Sequence, residues 1–360
     1  MKRFFLLVFV LCAVLLAVPV MAQDGEALPG VDEMAEGWNI IETGEETTCA
    51  RGTPYQFFFR PGEDASRLMV YFQGGGACWN SLTCREGGTF DDSVSDDEFA
   101  NYDGLFNFDS EENPIAGFNV VFVPYCTADI HTGDSTMTYG DWEIQHNGYD
   151  NSAVVLDWVY ANFDAPEQVF VSGSSAGAYG AIYHAPFIIN QYPDAQTAVL
   201  GDAGVGITPV GWPVLQDWDI FSNMPEFVPM LAEADPATFT ANVLYTANSE
   251  TYPDVNFGQF TNAADEVQIM FYSFSGPGLE AAMWVEGMYS ALNDLDELAN
   301  FSSYVAPGTG HTILALPEMY TLEVEGVRFL DWLNDLVNGA QPEAVRCVDC
   351  EAVAEAEAGS

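Results

Sequence analysis

The sequence predicts a single-domain α/β fold, in which a mostly parallel sheet carries helices on both faces. Short apolar runs alternate with helix-period segments along most of the chain, and several of these runs are apolar throughout. Such strands are buried on both faces, which is typical of a parallel sheet between two helix layers. The chain has 360 residues, of which 49% are hydrophobic and 14% aromatic, so it can fill one large core.

The N-terminus predicts export. Lys2 and Arg3 precede an apolar run over residues 4–18, and Val20-Met21-Ala22 provides a small-residue cleavage site. A charged region, an apolar region and a cleavage motif in this order are typical of a secretory signal peptide. We therefore expect residues 1–22 to be a signal peptide and the mature protein to be secreted. No later run has the roughly 18 apolar residues that a membrane-spanning helix needs, so no stable membrane insertion is expected.

Composition divides the remaining chain into three parts. Residues 23–45 are acidic and glycine-rich and predict a flexible segment, residues 46–339 carry the α/β alternation, and residues 340–360 predict an acidic tail. The predicted strands cover residues 55–59, 68–72, 120–123, 169–171, 198–200, 243–245 and 304–306. The predicted helices cover residues 151–163, 176–191, 261–274 and 318–338. The third of these helices begins with Thr261 as its N-cap, and Asp265 and Glu266 lie where the helix dipole favours negative charge.

The charge balance describes the surface of the protein. The chain has 54 acidic and 8 basic residues, and its net charge is −46. Such a surface repels phosphate backbones and anionic lipids, which argues against nucleic-acid and membrane partners. Solubility at high salt and life in an acidic medium are both compatible with it, and the sequence leaves this choice open.

The cysteines predict disulfide bonds. Seven are present, and removal of the signal peptide with Cys12 leaves six. An even number of cysteines in an exported chain indicates a disulfide set. Cys78 and Cys84 flank a short loop, Cys347 and Cys350 are close in the tail, and if both local pairs form then Cys49 joins Cys126. No second Cys/His pair lies near the tail cysteines to complete four metal ligands, so no metal site is expected.

Residues 173–177 carry the strongest chemical signal. Gly173-Ser174-Ser175-Ala176-Gly177 follows a predicted strand directly and begins a predicted helix. This G-x-S-x-G context predicts a nucleophile elbow, a strained turn that exposes the serine at the N-terminus of a helix. A glycine- and serine-rich connection is the alternative, but the strand-turn-helix setting favours the elbow. The sequence therefore predicts an α/β-hydrolase-like fold with Ser175 as the nucleophile.

A second glycine-rich segment, Gly74-Gly75-Gly76, follows the strand predicted over residues 68–72. Consecutive glycines allow backbone N–H groups to face a reacting oxygen, as in the oxyanion holes of lipases and esterases. The expected donors are Gly75 or Gly76, together with Ala176. A phosphate-binding loop would need a Gly-Lys-Ser/Thr ending, and the only lysine of the chain lies in the predicted signal peptide.

The base and the acid should follow later strands. His311 lies just past the last predicted strand, as the order serine, acid, histidine requires. The other histidines, His131, His146 and His184, suit loop or packing positions. We expect Asp254 to be the acid, because it follows the strand predicted over residues 243–245. Asp202 is the alternative, and Asp265 is interpreted as a helix-start charge.

Four segments resemble the pectin acetylesterase family. They are residues 73–79 around the glycine-rich loop, Pro124-Tyr125-Cys126-Thr127-Ala128-Asp129, the serine elbow, and Gly201-Asp202-Ala203-Gly204. The resemblance implies an α/β-hydrolase-like fold, no cofactor and hydrolysis of ester-linked acyl groups. It places the triad at Ser175, Asp254 and His311 and the oxyanion donors at Gly75, Gly76 and Ala176.

The resemblance favours removal of acetyl groups from a polysaccharide. Candidate substrate-binding residues are Trp79, Asp129 and Asp202. Trp79 follows the glycine-rich loop and either limits the acyl pocket to short chains or packs against the Cys78–Cys84 loop. The alternatives are an esterase for lipid or aryl esters and a non-catalytic glycan-binding homologue, which the complete set of triad residue types disfavours.

Overall fold

The computed structural model describes residues 27–45, 47–209, 211–347 and 350. The predicted signal peptide lies outside the described residues. The strands are β1 (Asn39–Glu42), β2 (Gln56–Arg60), β3 (Arg67–Phe72), β4 (Asn119–Val123), β5 (Ser135–Tyr139), β6 (Trp142–His146), β7 (Gln168–Ser174), β8 (Gln196–Asp202), β9 (Asn256–Asn262), β10 (Phe301–Ala306), β11 (Glu323–Val324), β12 (Val327–Arg328) and β13 (Val345–Arg346). The α-helices are α1 (Gly148–Asn162), α2 (Ala176–Gln191), α3 (Val214–Asp217), α4 (Pro229–Ala232), α5 (Ala241–Thr251), α6 (Glu266–Phe274), α7 (Ala281–Leu295) and α8 (Phe329–Val337).

A large sheet organises the fold. Within the described ranges it contains nine strands, in the order β1-β2-β4-β3-β7-β8-β9-β10-β13. β2 pairs antiparallel with β1 and with β4, and all the other neighbours in the sheet are parallel. The carboxyl ends of β3, β7, β8, β9 and β10 therefore meet at one edge, where open α/β sheets form their sites. This architecture confirms the predicted single-domain, α/β-hydrolase-like fold.

The core lies on both faces of the sheet. Successive strand residues point to opposite faces, so Val70 and Phe72 join one apolar cluster and Met69 and Tyr71 join the other. The first cluster contains side chains of α1, α2, α5 and α7, and the second contains those of α8. The strands are buried throughout their centres, which explains the uninterrupted apolar runs in the sequence.

Two predicted elements between residues 240 and 275 are wrong. Residues 243–245 lie in α5 rather than in a strand, because Leu244 and Tyr245 are buried on a helix face. The predicted helix over 261–274 divides into the end of β9 and the helix α6, and Asp265, not Thr261, is the N-cap. β9 does not have the apolar sequence typical of a buried strand, because it contains polar residues whose side chains form hydrogen bonds. Gln259 donates to the carbonyl of Gly204 at 2.8 Å, and the Thr261 hydroxyl accepts from Gln268 at 3.0 Å.

The terminal segments contribute to the sheet. β1 lies within the segment predicted to be flexible, residues 23–45, and β13 lies within the predicted tail, residues 340–360. Of the helix predicted over 318–338, only α8 is α-helical; a short 3-10 turn (Pro317–Tyr320) and the hairpin β11–β12 precede it. The three predicted disulfides, Cys49–Cys126, Cys78–Cys84 and Cys347–Cys350, are confirmed.

The described residues contain neither a membrane-spanning helix nor a cluster of metal ligands. None of their helices is long and apolar enough to cross a membrane. Nor do they contain a group of three or more His, Cys, Asp or Glu side chains placed to hold a metal ion.

Candidate active site

The turn between β7 and α2 has the geometry of a nucleophile elbow. Ser175 has φ of 55° and ψ of −121°, a left-handed conformation that is strained for a residue with a Cβ. The glycines on either side of it are needed because any larger residue would collide with the neighbouring backbone. A Cβ on Gly173 would lie 2.2 Å from the carbonyl oxygen of Gly177, and one on Gly177 would lie 1.9 Å from that of Phe72. The sequence 173–177 therefore folds tightly and presents Ser175 at the N-terminus of α2.

His311 lies in the loop that follows β10, at the same edge of the sheet. Its Nδ1 is 2.9 Å from Oδ2 and 3.0 Å from Oδ1 of Asp265. A carboxylate can only accept, so this contact places the ring proton on Nδ1 and leaves the Nε2 lone pair free. Within the described part of the chain, Nε2 has no hydrogen-bond partner. His311 and Ser175 line the same two clefts.

Asp265 is fixed by its position at the start of α6. Its side chain is completely buried, and Oδ1 accepts the backbone N–H groups of Val267 at 3.1 Å and Gln268 at 2.9 Å. Oδ2 accepts the side-chain amide of Gln268 at 2.9 Å. The same carboxylate therefore caps the helix and orients the imidazole of His311.

The choice of Asp254 as the partner of His311 is corrected by this geometry. Asp254 is exposed in the turn between α5 and β9. It precedes β9, so it lies at the amino end of that strand, whereas His311 lies beyond the carboxyl end of the parallel neighbour β10. The error follows from the misplaced strand at 243–245, since the strand that leads to Asp265, the carboxylate in contact with His311, is β9.

Asp202, the alternative acid and a candidate substrate-binding residue, is completely buried. Its carboxylate accepts the Ser174 hydroxyl at 2.6 Å and the backbone N–H groups of Ile313 at 3.0 Å and Leu314 at 3.0 Å. Its carbonyl accepts the N–H of Ser175 at 2.7 Å. Asp202 therefore holds the backbone of the serine turn and the loop of His311. Burial raises its pKa to about 6, although these hydrogen bonds and His311 oppose the rise.

The glycine-rich loop lies directly against the serine turn. A Cβ on Gly74 would be 2.7 Å from the carbonyl oxygen of Ser174 and 3.0 Å from the Cβ of Ser175. Gly76 has φ of 77°, and a Cβ there would be 2.0 Å from the carbonyl oxygen of Thr89. Gly76 and Ala176 line the cleft with Ser175. Ala176 begins α2, so its N–H lies outside the hydrogen-bond ladder of that helix.

Asp129, the third candidate substrate-binding residue, is also completely buried. It accepts the Thr127 hydroxyl at 2.6 Å and the N–H of Gly148 at 2.7 Å, and burial raises its pKa to about 7. It therefore shapes a loop behind the site and has no exposed surface that could contact a substrate.

The other three histidines are buried and bonded to backbone carbonyls. Nε2 of His131 contacts the Gln73 oxygen at 2.8 Å, Nε2 of His184 the His131 oxygen at 2.8 Å, and Nδ1 of His146 the Thr127 oxygen at 3.1 Å. Burial lowers the pKa of His131 to about 3 and of His146 and His184 to about 4. They are neutral packing residues, as expected, and His131 additionally fixes the peptide that leads into the glycine-rich loop.

A deep apolar cleft opens beside Ser175 and His311. Its cavity volume is about 120 Å³. Aromatic side chains supply much of the wall: Trp79, Trp212, Trp218, Phe239, Phe271 and Trp284. Aliphatic side chains supply more of it: Ile207, Leu215, Ile220 and Leu244. Trp79 packs against Trp212, with ring centroids 5.0 Å apart, so it is part of this wall.

Sequence reasoning missed two parts of the site. Asp265 is expected from the sequence only as a helix-start charge, because β9, the strand that ends three residues before it, is not among the predicted strands. Most of the apolar wall comes from residues 207–284, between β8 and β10. Its side chains are spread over short helices and loops, so no periodic pattern in the sequence marked them as one surface.

The chain is similar to several known proteins. The family model for pectinacetylesterase matches residues 32–214, just over half of the chain. Palmitoleoyl-protein carboxylesterase notum2 of Xenopus laevis is 27% identical over 172 residues, which are 45% of this chain and 35% of that protein. Inactive palmitoleoyl-protein carboxylesterase notum1b of Danio rerio is 29% identical over 105 residues, 27% of this chain and 74% of that protein.

Among solved structures, the Wnt deacylase Notum from Drosophila is similar in fold. The TM-score is 0.59 with 16% sequence identity, over 85% of this chain and 95% of the other. The sequence match to notum2 spans about a third of that relative's length. These similarities show the family and the fold.

Proposed function

The chain belongs to the pectinacetylesterase family, and we propose that it is a carboxylic ester hydrolase whose catalytic triad is Ser175, His311 and Asp265. The observation that carries the proposal is the Asp265–His311 contact, in the clefts that Ser175 also lines. The geometry supports a catalytic member rather than a non-catalytic homologue, because the base is oriented by a buried carboxylate and its second nitrogen is free.

The proposed reaction proceeds through an acyl-enzyme. His311 Nε2 accepts the proton of Ser175 Oγ as the oxygen attacks the ester carbonyl, and Asp265 stabilises the resulting imidazolium. The N–H groups of Ala176 and of Gly75 or Gly76 donate to the oxyanion. The imidazolium protonates the departing alcohol, and water, activated by the same imidazole, then releases the carboxylic acid from Ser175.

We propose that the acyl group is longer than acetate. The apolar cleft beside Ser175 offers far more wall than an acetyl methyl can contact. Each methylene that is buried contributes about 0.8 kcal/mol of binding free energy. A longer acyl chain that contacts the apolar wall therefore stabilises the transition state more than an acetyl group does. The names of the matched relatives also specify a long acyl group, palmitoleoyl.

Deacetylation of a polysaccharide is the second candidate. The family description favours it, since pectinacetylesterase denotes removal of acetyl groups. In either case we propose that the protein acts outside the cytoplasm, supported by the signal-like residues 1–22 and by the three disulfides.

The test compares kcat/KM for p-nitrophenyl acetate, butyrate, octanoate and palmitate. Burial of only two of the additional methylenes of octanoate would raise kcat/KM more than about tenfold over acetate. Ser175→Ala provides the background rate. Ile207→Trp, which fills part of the apolar cleft, should lower the octanoate rate and leave the acetate rate near that of the parent. A steady fall from acetate onward would instead support the deacetylase.

A further inference from the structure

A second, more open cleft also reaches Ser175 and His311. The residues that it shares with the apolar cleft are Gly76, Ser175, Val267, Phe271 and His311, and its remaining walls include Gly74, Gly75 and residues 88–91. If the acyl chain occupies the apolar cleft, the alcohol part of the ester lies in this open one. The side chains here therefore determine which alcohols the enzyme accepts, an argument that rests on the proposed function.

Asp91 is the acidic residue in the wall of this open cleft. Its N–H donates to the carbonyl of Gly75 at 2.9 Å, and a Cβ on Gly75 would be only 2.8 Å from Asp91 Oδ2. The carboxylate therefore lies against the glycine-rich loop, next to the reacting centre. In the parts of the chain that the structure describes, no hydrogen bond or ion pair occupies this carboxylate.

The surroundings of Asp91 add negative charge. Asp91 is an exposed residue, but desolvation of its carboxylate against the glycine-rich loop raises its pKa, and the neighbouring carboxylates of Glu98 and Asp92 raise it further. The Glu98 carboxylate accepts from Gln73 at 2.7 Å, and the guanidinium of Arg51 is bound to the neighbouring Asp92 at 2.7 Å. No lysine or arginine lines either cleft among the described residues.

We propose that Asp91 makes the open cleft select against anionic alcohols, so that the natural substrates are esters of uncharged or cationic alcohols. An anionic group there would meet an unpaired carboxylate and find no cation to bind, and like-charge contacts of this kind disfavour binding strongly. A uronate-rich polysaccharide is thereby disfavoured as the leaving group, whereas neutral sugars, amino sugars and other uncharged alcohols are compatible.

The test uses butyryl esters of three phenols: 4-hydroxybenzoate, its methyl ester and 3-hydroxyphenyltrimethylammonium. Each kcat/KM is divided by the rate constant for alkaline hydrolysis of the same ester, which removes differences in intrinsic reactivity. For the parent at low salt we expect the neutral and cationic esters to exceed the anionic one by about tenfold or more. The ratio should shrink in 1 M salt, where the screening length falls to about 3 Å.

Asp91→Asn separates the local effect from that of the whole charged surface. It should bring the neutral-to-anionic ratio to within about threefold, whereas Asp254→Asn, an equal change of charge at the far edge of the sheet, should leave the ratio unchanged. The inference is overturned if the anionic ester is hydrolysed as well as the neutral one, or if Asp91→Asn leaves the ratio unchanged. Either result would leave the proposed function intact. Failure to hydrolyse all three esters above the Ser175→Ala background would overturn the proposed function itself.

Discussion

Replacing Asp265 by asparagine removes the negative charge beside His311 while preserving the shape of the side chain. The remaining oxygen can still accept the N–H groups of Val267 and Gln268, since asparagine caps helices about as well as aspartate. The new amide nitrogen takes the place of Oδ2, which accepts from His311 Nδ1 and from the side chain of Gln268. The imidazole then favours the tautomer that protonates Nε2, and that form cannot accept the serine proton.

The two effects of Asp265→Asn differ in size. Loss of the Gln268 contact and of the charged contact to His311 should lower the free energy of unfolding by about 1–2 kcal/mol. Loss of the correct tautomer should lower kcat by about 10³- to 10⁴-fold, since this carboxylate stabilises the imidazolium in the transition state. Activity should therefore fall far more than the unfolded fraction can explain.

The assay measures kcat and KM on p-nitrophenyl butyrate, together with urea unfolding of the same preparations. Asp254→Asn is the matched control and should retain the parent kcat within about twofold, because Asp254 is exposed at the opposite edge of the sheet. The reasoning is refuted if Asp265→Asn keeps more than a tenth of the parent kcat, or if Asp254→Asn loses as much activity as Asp265→Asn.

Four further predictions concern the surrounding residues. Ser175→Ala should lower kcat by about 10³-fold or more, whereas Ser174→Ala should keep at least a tenth of it; equal losses would place the nucleophile elsewhere. Asp202→Asn should lower kcat by about ten- to 100-fold with little change in KM. The new amide N–H would face the backbone N–H groups of Ile313 and Leu314 and cannot accept hydrogen bonds from them. An unchanged kcat would contradict this prediction. Since burial raises the pKa of Asp202 to about 6, its contribution to the free energy of unfolding falls as pH rises from about 4 to 6, and this pH dependence should weaken in Asp202→Asn. Trp79→Ala should alter the chain-length profile by enlarging the apolar cleft, whereas Leu82→Ala, in the same disulfide loop but 59% exposed, should not.

The parts of the site that depend on local sequence were predictable. The conformations of the serine turn and of the glycine-rich loop each depend on a few adjacent residues, where glycines avoid collisions with the neighbouring backbone. Both segments can therefore be recognised from a short stretch of sequence. His311 lies in the loop that follows β10. The end of β10 is apolar, so the sequence predicts a strand there. The disulfide set likewise followed from two short loops and the one remaining pair of cysteines.

The acid was not predictable in the same way. β9 carries a glycine and several polar side chains in its buried centre. The Gln259 amide donates to the carbonyl of Gly204, and the Thr261 hydroxyl accepts from Gln268 in the next helix, so neither bond is visible in the local sequence. An apolar triplet in α5 looked more like a strand because burial on a helix face also requires apolar residues. Because the strand before the acid was predicted about fifteen residues too early, the sequence indicated Asp254 and not Asp265, the acid that we propose from the contact with His311.

The two buried carboxylates at the carboxyl ends of β8 and β9 hold the same histidine in different ways. Asp202 accepts the backbone N–H groups of Ile313 and Leu314, two and three residues beyond His311, and so fixes where the loop runs. Asp265 accepts from the imidazole and so fixes how the ring turns. Position and orientation are separate requirements, because a base displaced by about 1 Å and a base in the wrong tautomer both fail to take the serine proton. The backbone carbonyl of Asp202 also accepts the N–H of Ser175, so the proposed nucleophile and the proposed base are both positioned by one residue in the sheet.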